Sequence, residues 1–392
     1  MSVWEEVALS DVLVEARPGF ACGEDVDDGV FQFRMNNITT EGQIDLTKKR
    51  RVPRDTRNIE SFLVKQGDVL FNATNSPDLV GKTAYFGGLD EPAVFSNHFL
   101  RLRPQPARLD GRFLSRWLNL QFERGKFKGM CRQWVNQATV NRDALLALRL
   151  QLPSLPEQER FAEILEKADA LREMRRGGLA QLDTLTRSIF LDMFGDPIAN
   201  PRGWPKMRLS TLGSLDRGVS QHRPRNAPEL LGGPYPFVQT GDVANCDGYI
   251  RSYTATYSEA GLRQSKLWPA GTLCITIAAN IGKTGILTFD ACFPDSVVGF
   301  GCDDSNTVKF VRAWLSLLQS SIEARAPESA QKNINLEILR GLEVPTPSAD
   351  LRVEFACRIA TVESLMNIAR RALAGHDNLF ASLQTRAFQG EL

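Results

Sequence analysis

The chain has 392 residues, 43% hydrophobic and 24% charged, a composition that supports two or three folded domains and carries no disorder signature. Its 47 basic and 46 acidic side chains leave a net charge of +1, so any case for nucleic acid must rest on local clusters. Seven cysteines without a C-x-x-C pair read as reduced, mostly buried small hydrophobes. With no signal peptide and no membrane-length apolar run, the chain is expected in the cytoplasm.

The first third alternates strand-like runs ("DVLF", "TAYF") with Gly/Asn/Asp turns, then shows an amphipathic helix around Phe113–Gln121. Two basic stretches lie in it. "KKRRVPRDTR" supplies Lys48, Lys49, Arg50, Arg51, Arg54 and Arg57. "ERGKFKGMCRQW" supplies Arg124, Lys126, Lys128 and Arg132, interleaved with Phe127 and Trp134. Such side chains neutralise phosphates, and arginine can also bond base edges.

At "SLPEQERFAEIL" a long helix begins, with Ser154 as N-cap, Pro156 in the first turn and Glu157 as capping-box partner. It is expected over 157–193, a strut of ~55 Å at 1.5 Å per residue, and stops at "FGDP".

The second half repeats the mixed pattern with "TLCITI", "TGILTF" and a helix around Val311–Ile322. Its basic loop "RGVSQHRPR" supplies Arg217, Gln221, Arg223 and Arg225, and Lys332 joins the DNA-binding candidates. A last helix, expected over 351–388, carries Phe355, Ile359, Val362, Met366, Ala369, Leu373, His376, Phe380, Leu383 and Ala387. Their alternating spacing of four and three is that of a coiled-coil seam. The matching stripe of the first helix has Phe161, Leu165, Ala168, Leu179, Leu182 and Ile189, interrupted by Arg172 and Arg175. Burying the two stripes against each other predicts an antiparallel pair, with a globular unit at either end about a pseudo-twofold axis.

The chain is a tandem duplication. "VNRDALLALRLQLPSLPEQERFA" from Val140 lies over "INLEILRGLEVPTPSADLRVEFA" from Ile334, 194 positions later. Trp4, Leu9 and Ser10 correspond to Trp204, Leu209 and Ser210, and "FLSRWLNL" to "FVRAWLSL". "GDVLFNATNSPDLVGKT" corresponds to "GTLCITIAANIGKT". The period is too long for a solenoid, so each copy is a domain. The expected fold class is α/β (mixed α+β), with globular domains over 1–152 and 199–346 and long helices over 153–198 and 347–392.

Catalytic signatures fail. The two "GKT" triplets lack the glycine that a phosphate loop needs five residues before its second one, since Ser76 and Ile277 stand there. A turn between strands accounts for both. His98, His222 and His376 have no cysteine partners at zinc spacing, and no G-x-S-x-G elbow occurs. Pro77-Asp78 and Pro294-Asp295 lack a downstream [DE]-x-K, and "GGPYPF" lacks the paired prolines of an amino-methyltransferase motif.

With the repeat established, Leu152–Pro197 resembles the central conserved region of specificity subunits of type I restriction–modification enzymes, whose hallmark is a Leu-Pro, Pro-Glu-Gln lead into a long helix. Ser329–Pro347 resembles the end of a target recognition domain of that family. The second lead-in departs from it, with Asp350-Leu351-Arg352 in place of Pro-Glu-Gln. The resemblance implies a non-catalytic, sequence-specific subunit that binds double-stranded DNA, each domain reading one half of a bipartite target. It implies helices that set the gap and dock two methyltransferase subunits, and it allows two restriction/translocase subunits to join them. S-adenosylmethionine, ATP and Mg are then expected on partners, with no cofactor or metal in this chain. Two other readings are a methyltransferase or nuclease acting alone, and a coiled-coil scaffold that does not touch DNA.

Exchanging Met1–Gln151 for the matching unit of a relative is expected to change one half of the recognised sequence. Methylome sequencing in which both halves changed would refute that modularity.

Overall fold

The computed structural model describes residues 4–56, 58–134, 137–222, 224, 227–278, 281–324 and 334–392. Two compact units emerge: Met1–Met174 with Leu373–Leu392, and Arg175–Ala372.

In the first unit, strands β1 (Leu13–Pro18), β2 (Val69–Asn72), β3 (Thr83–Tyr85) and β4 (Phe99–Pro104) form an antiparallel sheet of order β1-β4-β2-β3. Helix α1 (Gly111–Glu123) follows, capped by Asp110, whose carboxylate accepts the Phe113 N–H at 2.9 Å. In the second unit, β5 (Ser214–Arg217), β6 (Leu273–Thr276), β7 (Thr284–Leu287) and β8 (Val297–Gly301) are joined in the same order, β5-β8-β6-β7, and helix α3 (Ser305–Ala324) follows. Equivalent residues sit at equivalent registers: Val69 opposite Leu102, and Leu273 opposite Phe300. Both GKT triplets end the connection between hairpin strands, β2 to β3 and β6 to β7, with Thr83 and Thr284 opening the second strand. Gly81 N–H bonds to Asn72 O, and Gly282 N–H to Thr276 O.

Each unit ties its first strand to its last. Glu5–Ala8 pairs with Arg149–Leu152, and Lys206–Arg208 with Glu343–Pro345. Leu9 N–H then bonds to Leu148 O at 3.0 Å, and Leu209 N–H to Leu342 O at 2.8 Å. Asn141 and Asn335, matched by the repeat, cap the short helices Arg142–Leu146 and Leu336–Arg340.

The long helices are α2 (Leu155–Phe194) and α4 (Ala349–Gln389), each slightly longer than its periodicity suggested. At the start of α2, Glu157 accepts both the Ser154 N–H (3.0 Å) and the Ser154 hydroxyl (2.6 Å). The serine therefore donates to the glutamate, a variant of the reciprocal capping box. Buried Gln158 fastens the helix to its domain: Oε1 accepts the Asp110 N–H, and Nε2 donates to Arg108 O and Pro153 O. In the second lead-in, Arg352 keeps one of those links, donating to Pro347 O at 2.9 Å. The missing Pro-Glu-Gln is thus compensated by a different donor.

Every predicted seam residue of α4 is buried or half-buried. In the first unit the early turns of α2 lie beside the late turns of α4, and in the second unit the late turns of α2 lie beside the early turns of α4, so the helices are antiparallel. The seam is shared with the domains themselves. Phe161, Leu165, Phe380 and Ala387 belong to the core that holds Leu102 and Phe113. Phe190, Phe194, Phe355 and Ile359 belong to the core that holds Leu273 and Trp314. The stripes therefore bury against the domain cores as well as against each other.

Two further readings are corrected. Arg175 is exposed and off the seam, where half-buried Arg176 takes the position. Of the cysteines, all free, only Cys274 and Cys292 are buried, while Cys357 is exposed on α4.

Phe355 has no exposed surface and meets Phe190 and Phe194 at ring-centroid distances of 5.7 and 5.4 Å. Phe355→Ala is expected to cost the second unit ~3–5 kcal/mol. Equilibrium denaturation measures it, and a loss under ~1 kcal/mol would exclude the shared core.

Candidate nucleic-acid interface

The first basic run is built onto a small three-stranded sheet. Its central strand, Val30–Phe33, pairs antiparallel with Arg51–Val52 and parallel with Ala93–Phe95. Beyond the strand, the turn Met35–Asn37 is locked by Asn37, a buried residue that no periodicity flags. Its Oδ1 accepts the Arg34 N–H at 2.8 Å, and its Nδ2 donates to Asp45 O (2.9 Å) and Lys48 O (2.8 Å). Lys82, of the first GKT triplet, reaches the same turn and donates to the Met35 and Ile38 carbonyls. Burial pushes its ammonium below the ordinary lysine range. Its role is to hold backbone.

The run itself divides by task. Arg50 donates to Cys22 O (3.0 Å) and Glu24 O (2.9 Å), and Arg51 to Gly29 O (3.1 Å). Glu91 pairs with Lys49 at 2.9 Å and Arg51 at 2.6 Å, hydrogen bonds that hold its carboxyl below the usual range. Lys48 is exposed, and Arg54 is an exposed partner of Asp28 at 2.9 Å. Arg57 lies outside the described residues.

A groove of 380 Å³ runs between this loop and the turn, lined by Asp25, Arg34, Asn36, Lys48, Lys49 and Arg50 among others. Arg34 and Asn36 were missed by charge-run reasoning because they stand singly after a strand. Burial, and to a lesser degree Arg34, hold the nearby His98 imidazole below its usual value.

In the second basic stretch, Arg124 and Lys126 are exposed around the end of α1, and Lys128 pairs with Asp78 at 2.7 Å. Phe127 is fully buried against Phe71, so it packs the core. Arg132 lies in the strand Cys131–Trp134, paired with Gln137–Val140.

In the second unit, Arg217 is exposed at the end of β5, and the exposed Gln221 donates its N–H to Gln264 Oε1 at 2.8 Å. Arg223, Arg225 and Lys332 lie outside the described residues. The strand Leu231–Phe237 is the counterpart of Val30–Phe33. It too runs parallel to a neighbour, with Phe237 opposite Cys292, and leads into a helical turn, Thr240–Ala244. Asp242 caps back onto the Gln239 N–H at 2.8 Å, as Asn37 does onto Arg34. Gln239 and Thr240 line a pocket of 180 Å³ there. The same point of the repeat thus carries a depression in both units, mainly charged and polar in the first and mixed in the second, and only the repeat register could have disclosed it. Among the described residues, no cluster of three His, Cys, Asp or Glu side chains is placed to hold a metal, and no helix is long and apolar enough to cross a membrane.

The family described as type I restriction modification DNA specificity domain matches residues 1–183 and 201–368. The chain belongs to that family. It is a specificity subunit of a type I restriction–modification system, with two DNA-recognition domains. A Methanocaldococcus jannaschii protein named for the MjaX type I restriction enzyme specificity subunit is 23% identical over 382 residues, covering 94% of this chain and 88% of that one. The StySPI specificity subunit of Salmonella potsdam is 22% identical over 196 residues, 49% of this chain and 42% of its own. Among solved structures, the type I S subunit from M. genitalium aligns with a TM-score of 0.58 at 14% identity, covering 98% of this chain and 96% of its own. A chain from a study of type I complex assembly and conformational transition aligns with a TM-score of 0.61 at 18% identity, covering 100% and 99%. The fold of the specificity subunit is shared across these.

Lys48→Ala with Arg54→Ala is expected to lower the slope of log K against log[salt] for DNA binding by about two, one per phosphate contact. Arg50→Ala is expected to cost ~1–3 kcal/mol of stability, since two carbonyls lose a charged donor. A thermal melt unchanged by Arg50→Ala, or a slope unchanged by the double variant, would reverse this division of labour.

Proposed function

We propose that the two units read the two halves of a split DNA sequence and that α2 and α4 set the gap between them. The observation that carries this reading is the duplicated frame: one sheet order, one capping scheme and one closing strand pair occur twice, while the loops on them differ. A divided, non-identical target suits two such readers. The contact residues proposed are Lys48, Lys49, Arg54, Arg124, Lys126, Lys128, Arg132, Arg217 and Gln221, together with Arg57, Arg223, Arg225 and Lys332, with Arg34, Asn36, Gln239 and Thr240 added at the two depressions. Arg50 and Arg51 contribute field more than contact.

Two methyltransferase subunits dock on the long helices in this reading, which leaves room for restriction subunits to join them. Exposed apolar side chains support such docking: Leu171, Met174 and Leu379 in the first unit, and Leu185, Val353, Leu365 and Ile368 in the second. The chain then supplies specificity and no catalytic group, and S-adenosylmethionine, ATP and Mg belong to the partners in the cytoplasm.

Because both helices are anchored in both cores, a test of the ruler lengthens both. Four residues inserted in each of α2 and α4 lengthen the strut by ~6 Å and turn it by only ~40°. The gap is expected to grow by about one or two base pairs at 3.4 Å each, with the bases in each half unchanged. Two-residue insertions turn the strut by ~200° and are expected to abolish methylation. Methylome sequencing of cells carrying each variant decides it, and a four-residue variant that keeps the original gap rejects the ruler.

A further inference from the structure

The seam of α2 is broken by charge, and the break is organised. Asp169 is buried, with a side chain only 4% exposed. Its Oδ2 accepts Gln43 Nε2 and Arg116 Nη1, both at 2.9 Å, and its Oδ1 accepts Arg172 Nη1 at 2.9 Å. Arg172 in turn donates from Nε to Asp377 on α4 at 2.7 Å and lies 4.4 Å over the Phe380 ring. One carboxylate therefore joins a domain loop, the domain helix α1 and both long helices.

The residue 194 positions on is Glu363, on α4. Its carboxylate meets Arg312 of α3 at 3.5 Å and is hydrogen-bonded to Tyr249. Burial first, and this carboxylate next, push the Tyr249 hydroxyl up to about 12. Gln43 and Tyr249 stand at the same point of the repeat: each follows a glycine with positive φ, Gly42 at +79° and Gly248 at +86°. A Cβ at Gly42 would overlap Asn119 Nδ2 of α1, and one at Gly248 would overlap Arg312 Nη1 of α3. Only glycine lets the loop reach the acid.

The residue types have diverged, from Asp to Glu and from Gln to Tyr. The arginine has moved one position along its helix, as "FLSRWLNL" and "FVRAWLSL" show. The constellation nevertheless survives in both copies: an acid on the long helix, an arginine on the domain helix and a donor after a left-handed glycine. Ordinary core packing does not require a buried acid there, because an apolar residue of similar size would avoid the desolvation cost. A buried charge network is instead a directional contact that tolerates one register, as a lone polar residue does in a coiled coil.

We propose that Asp169 and Glu363 are positioning residues that fix each recognition domain on the long helices, and so set how strictly the subunit discriminates the gap between half-sites. This rests on the reading that the helices set that gap. The test uses the full chain assembled with its modification subunits, and duplexes bearing the two methylome-defined half-sites at the native gap and at gaps one base pair shorter and longer. Asp169→Asn is expected to lower the preference for the native gap by about tenfold, within what coupled contacts of this kind carry, while the bases read stay the same. Asp169→Glu, the acid of the other repeat, is expected to keep it. A folded Asp169→Asn complex with the wild-type preference overturns the assignment. Should that variant not assemble, Gln43→Ala leaves both arginines on the carboxylate and removes one link, and an unchanged preference there overturns it equally. A wild-type complex indifferent to the gap would reject the ruler reading instead.

Discussion

Phe190, Phe194, Phe310 and Phe355 meet in one aromatic cluster, and the architecture of the second unit depends on that contact. Two of these rings close one long helix, one opens the other, and the fourth belongs to α3. Each pair adds about 0.5–1.5 kcal/mol beyond the area it buries. In the first unit two separate ring pairs, Trp4 with Phe161 and Phe113 with Phe388, join the domain to the long helices. A long polar helix alone in water owes little to its own propensity. Here α2 and α4 are held at both ends because their terminal turns are core residues of the domains. The helices are a continuation of the folded domains, and a change in either propagates to the other through packed rings.

The duplication and both long helices were legible because apolar spacing and caps are local signals. Leu9 and Leu209 stand at matched positions and make the same backbone bond, and Asn141 and Asn335 each cap a short helix. What stayed hidden was polar and non-local. Arg172 read as a flaw in the seam, because its partners Asp377 and Phe380 lie some two hundred positions away in sequence. Gln158 read as part of a family hallmark without a reason, and the reason is its three bonds to backbone and lead-in.

The basic runs teach a related point. A string of four cations in sequence is not a cationic patch, since a loop must satisfy its own carbonyls and arginine is an efficient donor. Arg50 and Arg51 do that work, so less of the run's charge faces outward than its composition suggests. Arg34, by contrast, is a single residue that the fold brings beside Lys48. The run marks a loop, and the fold decides which of its cations face outward.

The pairing of Glu5–Ala8 with Arg149–Leu152, and of Lys206–Arg208 with Glu343–Pro345, brings the two ends of each domain onto adjacent strands. All the chain between them is therefore a closed excursion from one fixed doorway. Loops inside it can lengthen, shorten or change sequence without displacing the doorway, because loop-closure cost rises only slowly with length. Loop sequence can thus change widely while the joints to the long helices keep one geometry. That two-stranded neck, more than any single loop residue, is what lets the loops vary.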